Sequence, residues 1–402
     1  MSLFAQEGLY FTNYNLQVGD LTREYKVYLP PGYEQAENWP AVFLFHGFNS
    51  SVTAQINVSE MYKEADTKFF YIIYPTGKQV YDLFNVVSGL GWYVPDNYSA
   101  LAGQDDVAFV NAIIDDMLTN DLFSVDPCGI HASGYSNGGK MAFHLACTLS
   151  DRIASVAGIA AQMPLLGINN CDPARPVAVL HMQGTEDIIL PVGGNGNFPS
   201  LEGTAEYWAA FNICNNMPVI TPLPDIDPND NSTVTLYNYV NCDIIFECSS
   251  DVLSYRIEGG GHTWPGGTNP WPFLGTLNMD INASTEIWNF FNIHSMPSDE
   301  CPPCIVSIND LKNVTRLAVY PNPVSNKLTI EFELAYAMDV QLRLLNTLGQ
   351  DVGSKSLGTL YSGNQNVEWQ ISTDKIPNGL YFLDLVLNGE HAVVKPIVFS
   401  LN

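Results

Sequence analysis

The sequence predicts an α/β chain: a mostly parallel sheet with helices on both faces, followed by a small C-terminal all-β sandwich. Three observations carry this. Apolar strand-like runs alternate with helix-patterned stretches through the first 295 residues, as successive βαβ units require. Charge and cysteine usage then break near residues 296–315. Of the formal net charge of −26, only −2 lies from Arg316 onward (six basic against eight acidic), leaving −24 before it, and all eight cysteines precede that point. Past the break, short alternating stretches separated by turn residues replace the earlier pattern. The expected domains are 7–295 and 316–402, joined by a polar, Pro-containing linker over 296–315.

Each element has its own signal. Tyr25 to Leu29 ends at Pro30-Pro31-Gly32 and reads as an early antiparallel strand with its turn. Ala41 to Phe45 is a continuous apolar run, as expected of a buried parallel strand. The runs 69–74, 154–160, 177–182 and 253–257 repeat the theme. Asp106 to Leu118 and Ala283 to His294 place apolar residues at helical spacing. Beyond the linker, 327–332, 340–345, 379–385 and 392–394 read as sandwich strands.

Chemistry concentrates in Ile130 to Met141, IHASGYSNGGKM. Here Gly134-Tyr135-Ser136-Asn137-Gly138 fits G-x-S-x-G between a strand-like run and a helix-patterned one. So sharp a turn strains the serine's backbone and needs small residues at Gly134 and Gly138. It aims the Ser136 hydroxyl out of the sheet, beside a helix N-terminus that favours a developing anion.

A serine nucleophile needs a histidine base and a carboxylate to orient it, here in the order Ser, acid, His. Asp187 follows the strand ending at Met182, with Glu186 its local rival. His262 follows three glycines, which give a loop able to bring an imidazole over the serine. His131, His144 and His181 read as core residues, His294 and His391 as surface ones. His46-Gly47-Phe48-Asn49 closes the 41–45 strand. Its Phe48 amide, with Gly47 as alternative, and the amide of Asn137 would form an oxyanion hole, with His46 orienting the loop.

Other features carry weaker expectations. Trp92 and Trp264 are candidates for a flat substrate platform or, equally, packed core. Eight cysteines suit an oxidising compartment; Cys214 with Cys248 is the favoured disulfide, Cys147 with Cys171 a second, and Cys301-Pro302-Pro303-Cys304 reads as a local one. Asp225 to Asn231 faintly resembles a calcium loop, but Asp230 and Leu236 occupy positions that need Gly and Glu, so a solvated acidic tip is favoured. No metal or organic cofactor is called for. The acidic surface argues against nucleic acid, and no apolar run is long enough for a membrane span. Met1 to Gln6 resembles the end of a signal peptide cleaved near Ala5. A monomer is expected.

Several motifs together resemble a known family: secreted α/β-hydrolase esterases grouping feruloyl esterases, acetyl xylan esterases and polyhydroxybutyrate-depolymerase-like proteins. The matching pieces are Leu44-Phe45-His46-Gly47, Tyr74-Pro75-Thr76-Gly77, Asp105 to Val110, Gly134 to Ala142 and Gly259 to Gly266. The resemblance implies Ser136 as nucleophile, Asp187 as acid and His262 as base; Gln183 departs from a histidine common before Gly-Thr. The tail resembles the C-terminal sorting domain of the type nine secretion system of Bacteroidetes, through Tyr320 to Asn326, Leu345 to Gln350 and Gly379 to Leu383. That implies export to the medium or the outer-membrane surface, with the secretion machinery as partner. The expected function is a serine carboxylesterase hydrolysing feruloyl or acetyl esters of plant polysaccharides through an acyl-enzyme. Alternatives are a polyester depolymerase, of another class a non-catalytic carbohydrate-binding or adhesin protein, and least of all a peptidase.

Overall fold

The structure is a computed structural model of the chain and describes residues 4–6, 9–81, 87–94, 99–100, 104–215, 217–240, 242, 250–296, 314–320, 324, 326–334, 336–345, 351–371, 376, 379–388 and 390–399. The chain divides into two compact units, Met1–Cys304 and Ile305–Asn402.

In the first unit the strands are β1 (Phe4–Gln6), β2 (Leu9–Val18), β3 (Leu21–Tyr28), β4 (Trp39–Phe45), β5 (Tyr71–Pro75), β6 (Lys78–Tyr81), β7 (Val87–Gly91), β8 (Ser99–Ala100), β9 (Val125–Tyr135), β10 (Ser155–Ile159), β11 (Ala178–Gly184), β12 (Val219–Pro222), β13 (Thr233–Tyr239) and β14 (Val252–Glu258). Eleven of them form one sheet in the order β1-β2-β3-β5-β4-β9-β10-β11-β14-β13-β12, and β7-β6-β8 form a small second one. The six strands from β5 to β14 in that order run parallel. Antiparallel strands extend both edges. The centre is thus the parallel sheet expected of alternating β and α segments, with residues 219–239 adding a hairpin at one edge.

Helices cover both faces. They are α1 (Val52–Ser59), α2 (Tyr62–Lys68), α3 (Asp106–Thr119), α4 (Asn137–Thr148), α5 (Leu165–Asn169), α6 (Leu201–Phe211) and α7 (Ala283–Phe291). Alternation along β4 separates the two cores. Ala41, Phe43 and Phe45 pack with residues of α3, α4 and α6, whereas Val42 and Leu44 pack with residues of α1, α2 and α7. Asp105 caps α3 by accepting the Ala108 amide at 2.8 Å, satisfying one orphan donor of the first turn. Helix α7 stops at Phe291, three residues short of the periodic stretch. Of the histidines, His131 and His181 are core residues and His144 is half-buried.

The second unit holds β15 (Val314–Tyr320), β16 (Lys327–Leu334), β17 (Met338–Leu345), β18 (Asp351–Leu360), β19 (Gly363–Gln370), β20 (Gly379–Leu387) and β21 (Glu390–Phe399). They form two sheets, β15-β16-β19 and β18-β17-β20-β21. Leu328, Ile330, Leu342, Leu344, Leu383 and Leu385, from both sheets, share one buried core, so the tail is all-β.

Two expectations are corrected. Cys214 bonds to Cys242, not to Cys248. The Asn215 amide donates to Val240 O at 3.0 Å, which sets the start of the insert against the end of β13, where Cys242 stands. Cys248 lies outside the described residues, as do Cys301, Cys304 and the side chain of His391. Cys147 pairs with Cys171, and Cys128 is also disulfide-bonded. His294 is buried, not on the surface, because its Nδ1–H donates to Phe290 O at 2.6 Å and its ring packs on that of Phe290. The Asp225 to Asn231 tip is tied down by protein groups. Asp280 Oδ1 accepts the Ile226 and Asp227 amides, and Asp230 Oδ2 accepts the Met279 amide.

Burial keeps His131 and His181 neutral and pushes their pKa values down to about 3 and about 4; the charges of His294 and Arg175 add to the effect at His131. Both bind protons more weakly than in the unfolded chain, where the value is 6.5. The stability they contribute is therefore complete above pH 6.5 and is lost as pH falls toward those lower values. Within that window each pH unit costs about 1.4 kcal/mol per titrating histidine. Urea midpoints should fall steeply below neutral pH, and His131→Gln should flatten the slope. A midpoint constant from about pH 7 to pH 4 would contradict neutral buried rings.

Candidate active site

Four strand ends build the site, all on the carboxyl edge of the parallel strands, where functional groups gather in such sheets. Strand β9 ends at Tyr135 and α4 begins at Asn137, so Ser136 alone makes the turn. Its φ of 55° and ψ of −117° lie where a side chain is disfavoured. The turn closes only because two residues lack side chains. A Cβ on Gly134 would stand 2.4 Å from Gly138 C, and one on Gly138 would stand 2.3 Å from Phe45 O. Ser136 is half-buried at the first turn of α4, whose unpaired amides present partial positive charge.

Strand β11 leads to the expected acid, Asp187. Asp187 is buried and Glu186 exposed. Asp187 Oδ1 accepts the Ile189 and Leu190 amides, both at 2.8 Å, and Oδ2 lies 2.7 Å from His262 Nδ1. Gln183 donates its side-chain amide to Leu190 O, holding the same turn. Strand β14 leads into the Gly259-Gly260-Gly261 loop, which carries the expected base, His262. The His262 amide donates to Leu274 O at 2.7 Å. With both side chains almost wholly buried, the carboxylate accepts the Nδ1–H hydrogen bond, which fixes the tautomer whose basic nitrogen is Nε2.

One contributor was not foreseen. Tyr135, next before the serine, packs its ring 5.2 Å from that of His262 and donates its hydroxyl to His262 O. Burial, then the Asp187 charge, push the phenol pKa up, so it stays a donor. An aromatic residue ending a buried strand reads as core in sequence. Its position against the histidine depends on the remote loop after β14.

After β4, His46 holds the next turn. Its Nδ1–H donates to Gly47 O at 2.8 Å and its Nε2 accepts the Gly77 amide at 3.0 Å. Burial lowers its pKa and keeps it neutral. Gly47 faces Ser136: a Cβ there would stand 3.6 Å from Ser136 Cβ. Asn137 is buried against the 90–93 segment.

The platform reading of Trp92 and Trp264 is corrected, since both rings are 0% exposed. Trp92 donates its indole N–H to His46 O at 2.9 Å, and Trp264 donates to Ser284 Oγ at 3.2 Å. Each packs behind the site with its polar atom paired, leaving no face for a ligand.

The family described as "Putative esterase" matches residues 20–199, and the secretion system C-terminal sorting domain matches residues 318–399. Similar curated proteins include the "Putative esterase NocK" of Nocardia uniformis subsp. tsuyamanensis, 27% identical over 63% of this chain and 74% of its own. Feruloyl esterase B of Piromyces equi is 27% identical over 44% of this chain and 32% of its own. The bifunctional acetylxylan esterase/xylanase XynS20E of Neocallimastix patriciarum is 26% identical over 60% of this chain and 31% of its own. The chain thus spans about a third of the last two. Among solved structures, an acetyl xylan esterase from Aspergillus awamori superposes with a TM-score of 0.46 at 14% identity, over 70% of this chain and 98% of that one. Among the described residues no helix is long and apolar enough to cross a membrane. Residues 20–199 thus match an esterase family, which supports a carboxylic ester hydrolase, and the C-terminal secretion sorting domain makes the chain a secreted or surface-attached one.

Proposed function

We propose that the chain is a serine carboxylesterase using Ser136, His262 and Asp187. The observation that carries this is the buried 2.7 Å His262–Asp187 pair, whose histidine packs against Tyr135, the residue next before a strained Ser136 at the head of α4. Ser136 Oγ attacks the ester carbonyl while His262 Nε2 takes its proton, and Asp187 stabilises the imidazolium that forms. The amides of Phe48 and Asn137 receive the oxyanion. His262 returns the proton to the leaving alcohol; a water, deprotonated by the same ring, then releases the acid.

The names of the relatives support esters of plant polysaccharides as substrate, feruloyl or acetyl. Ile188 and Ile189, directly after Asp187, are 68% and 51% exposed. That apolar surface favours the aromatic acyl group over acetyl.

A fluorophosphonate should label Ser136 stoichiometrically, as peptide mass mapping would show, and methyl ferulate should be hydrolysed faster than acetylated xylan or polyhydroxybutyrate film. Labelling elsewhere, or none, would remove the nucleophile assignment; preference for the polyester film would remove the substrate assignment.

A further inference from the structure

Three sequence motifs have no direct part in that chemistry: Tyr74 to Gly77, Gly91-Trp92-Tyr93 and Asp105 to Val110. The structure brings them together behind the loops that carry the two proposed oxyanion amides. The geometry points to Leu90–Tyr93 as a strap that sets the spacing of those amides, with Trp92 and the Asn137 side chain as positioning residues. The inference rests on the esterase reading above.

The strap touches both loops. At one end the Asn49 amide donates to Leu90 O at 2.7 Å, holding the residue after Phe48. At the other, the Asn137 side chain clips Trp92 reciprocally: Oδ1 accepts the Trp92 amide at 2.7 Å and Nδ2 donates to Trp92 O at 3.2 Å. Between them Gly91 passes through a gap without room for a side chain. A Cβ there would stand 2.8 Å from Asn137 Oδ1 and 3.3 Å from the Phe48 ring. The Trp92 indole adds its hydrogen bond to His46 O, so one residue ties the β4 loop to the first residue of α4. Gly77 completes the packing, since a Cβ there would stand 2.7 Å from Gly91 O and 3.0 Å from the His46 ring.

A buried charge anchors the strap from behind. Asp106 accepts the Tyr93 amide at 2.7 Å, the Gln104 side chain at 2.8 Å and Arg23 Nη2 at 2.7 Å. Arg23 lies on β3 and stacks 4.1 Å from the Phe109 ring. Three donors satisfy the carboxylate and fix its place, although Arg23 Nε and Nη1 are buried without a hydrogen-bond partner. Oxyanion donors act over a narrow distance range and their pre-set placement is the source of their effect. A strap fixed at both ends and at its middle provides that placement without touching substrate.

Asn137→Ala removes the clip and leaves the backbone amide. It should lower kcat on a nitrophenyl ester about 100-fold, the scale of a misplaced reacting group, with KM within about threefold. Trp92→Phe, which loses one N–H and keeps most of the ring, should lower kcat roughly tenfold. A trifluoromethyl ketone, which forms an oxyanion on Ser136, should lose affinity in proportion to kcat/KM; a purely structural role would leave its affinity unchanged relative to substrate. Should Asn137→Ala fail to fold, Trp92→Phe carries the test. Variants with kcat within about threefold of the parent, or with ketone affinity unmoved, overturn the strap. A parent chain without Ser136-dependent hydrolysis instead overturns the esterase reading, and the strap with it.

Discussion

Replacing Ser136 by alanine should lower kcat on a nitrophenyl ester about 10⁶-fold, the loss expected when a nucleophile acting as part of a unit is deleted. The fold should survive. Ser136 is half-buried and its amide bond to Ile159 O, 2.9 Å, belongs to the backbone. Because φ is 55° there, Ser136→Gly should be equally inactive yet more stable than the parent, by about 1–2 kcal/mol of relieved strain. Circular dichroism and thermal melting separate the two effects. Residual turnover within about tenfold of the parent in either variant would rule Ser136 out as nucleophile.

Asp187→Asn should reduce kcat about 10⁴-fold at neutral pH with the site's shape intact. The hydrogen bonds show why. Oδ1 accepts two backbone amides, from Ile189 and Leu190, so the oxygen of an asparagine is drawn to that side. Its NH₂ then faces His262 Nδ1 and demands an acceptor there. The proton moves to Nε2, and the ring presents a donor to Ser136 where a base is required. Glu186→Gln, at an exposed position, should leave kcat within about twofold. The pair of variants, compared by kcat and KM, decides between the two carboxylates. Equal losses in both would undo the assignment.

The parallel core of the fold was legible because its signal is local. Runs such as Ala41 to Phe45 are apolar on both faces, and only strands covered twice read so. The polar edges were not. Strands β18 and β19 are rich in Ser, Gly, Asn and Gln and alternate between exposed and half-buried positions, so their pairing follows from neighbours. The short β6–β8 sheet is similarly silent. At the site, the residues of the expected triad were legible as a motif, a carboxylate past a strand and a histidine after glycines. The support around them was not. Arg23 stands among polar residues of β3, and its partner Asp106 lies 83 positions away. Trp92 carries the lesson in reverse: an aromatic in a glycine-flanked loop reads as a ligand platform, yet its N–H is needed inside.

The crowding beneath Ser136 bears on how this chain could be diversified. Gly134, Gly138, Gly139, Gly184 and Gly261 each leave less than 2.7 Å for an added methyl group, so mutation of the floor is closed as a route to new specificity. Variation is left to exposed positions. Leu166, Ile188, Ile189 and Phe273 are all more than half exposed and stand on segments that follow the strand ends. A directed-evolution library restricted to those four codons would test whether they set acyl preference while leaving those glycines untouched.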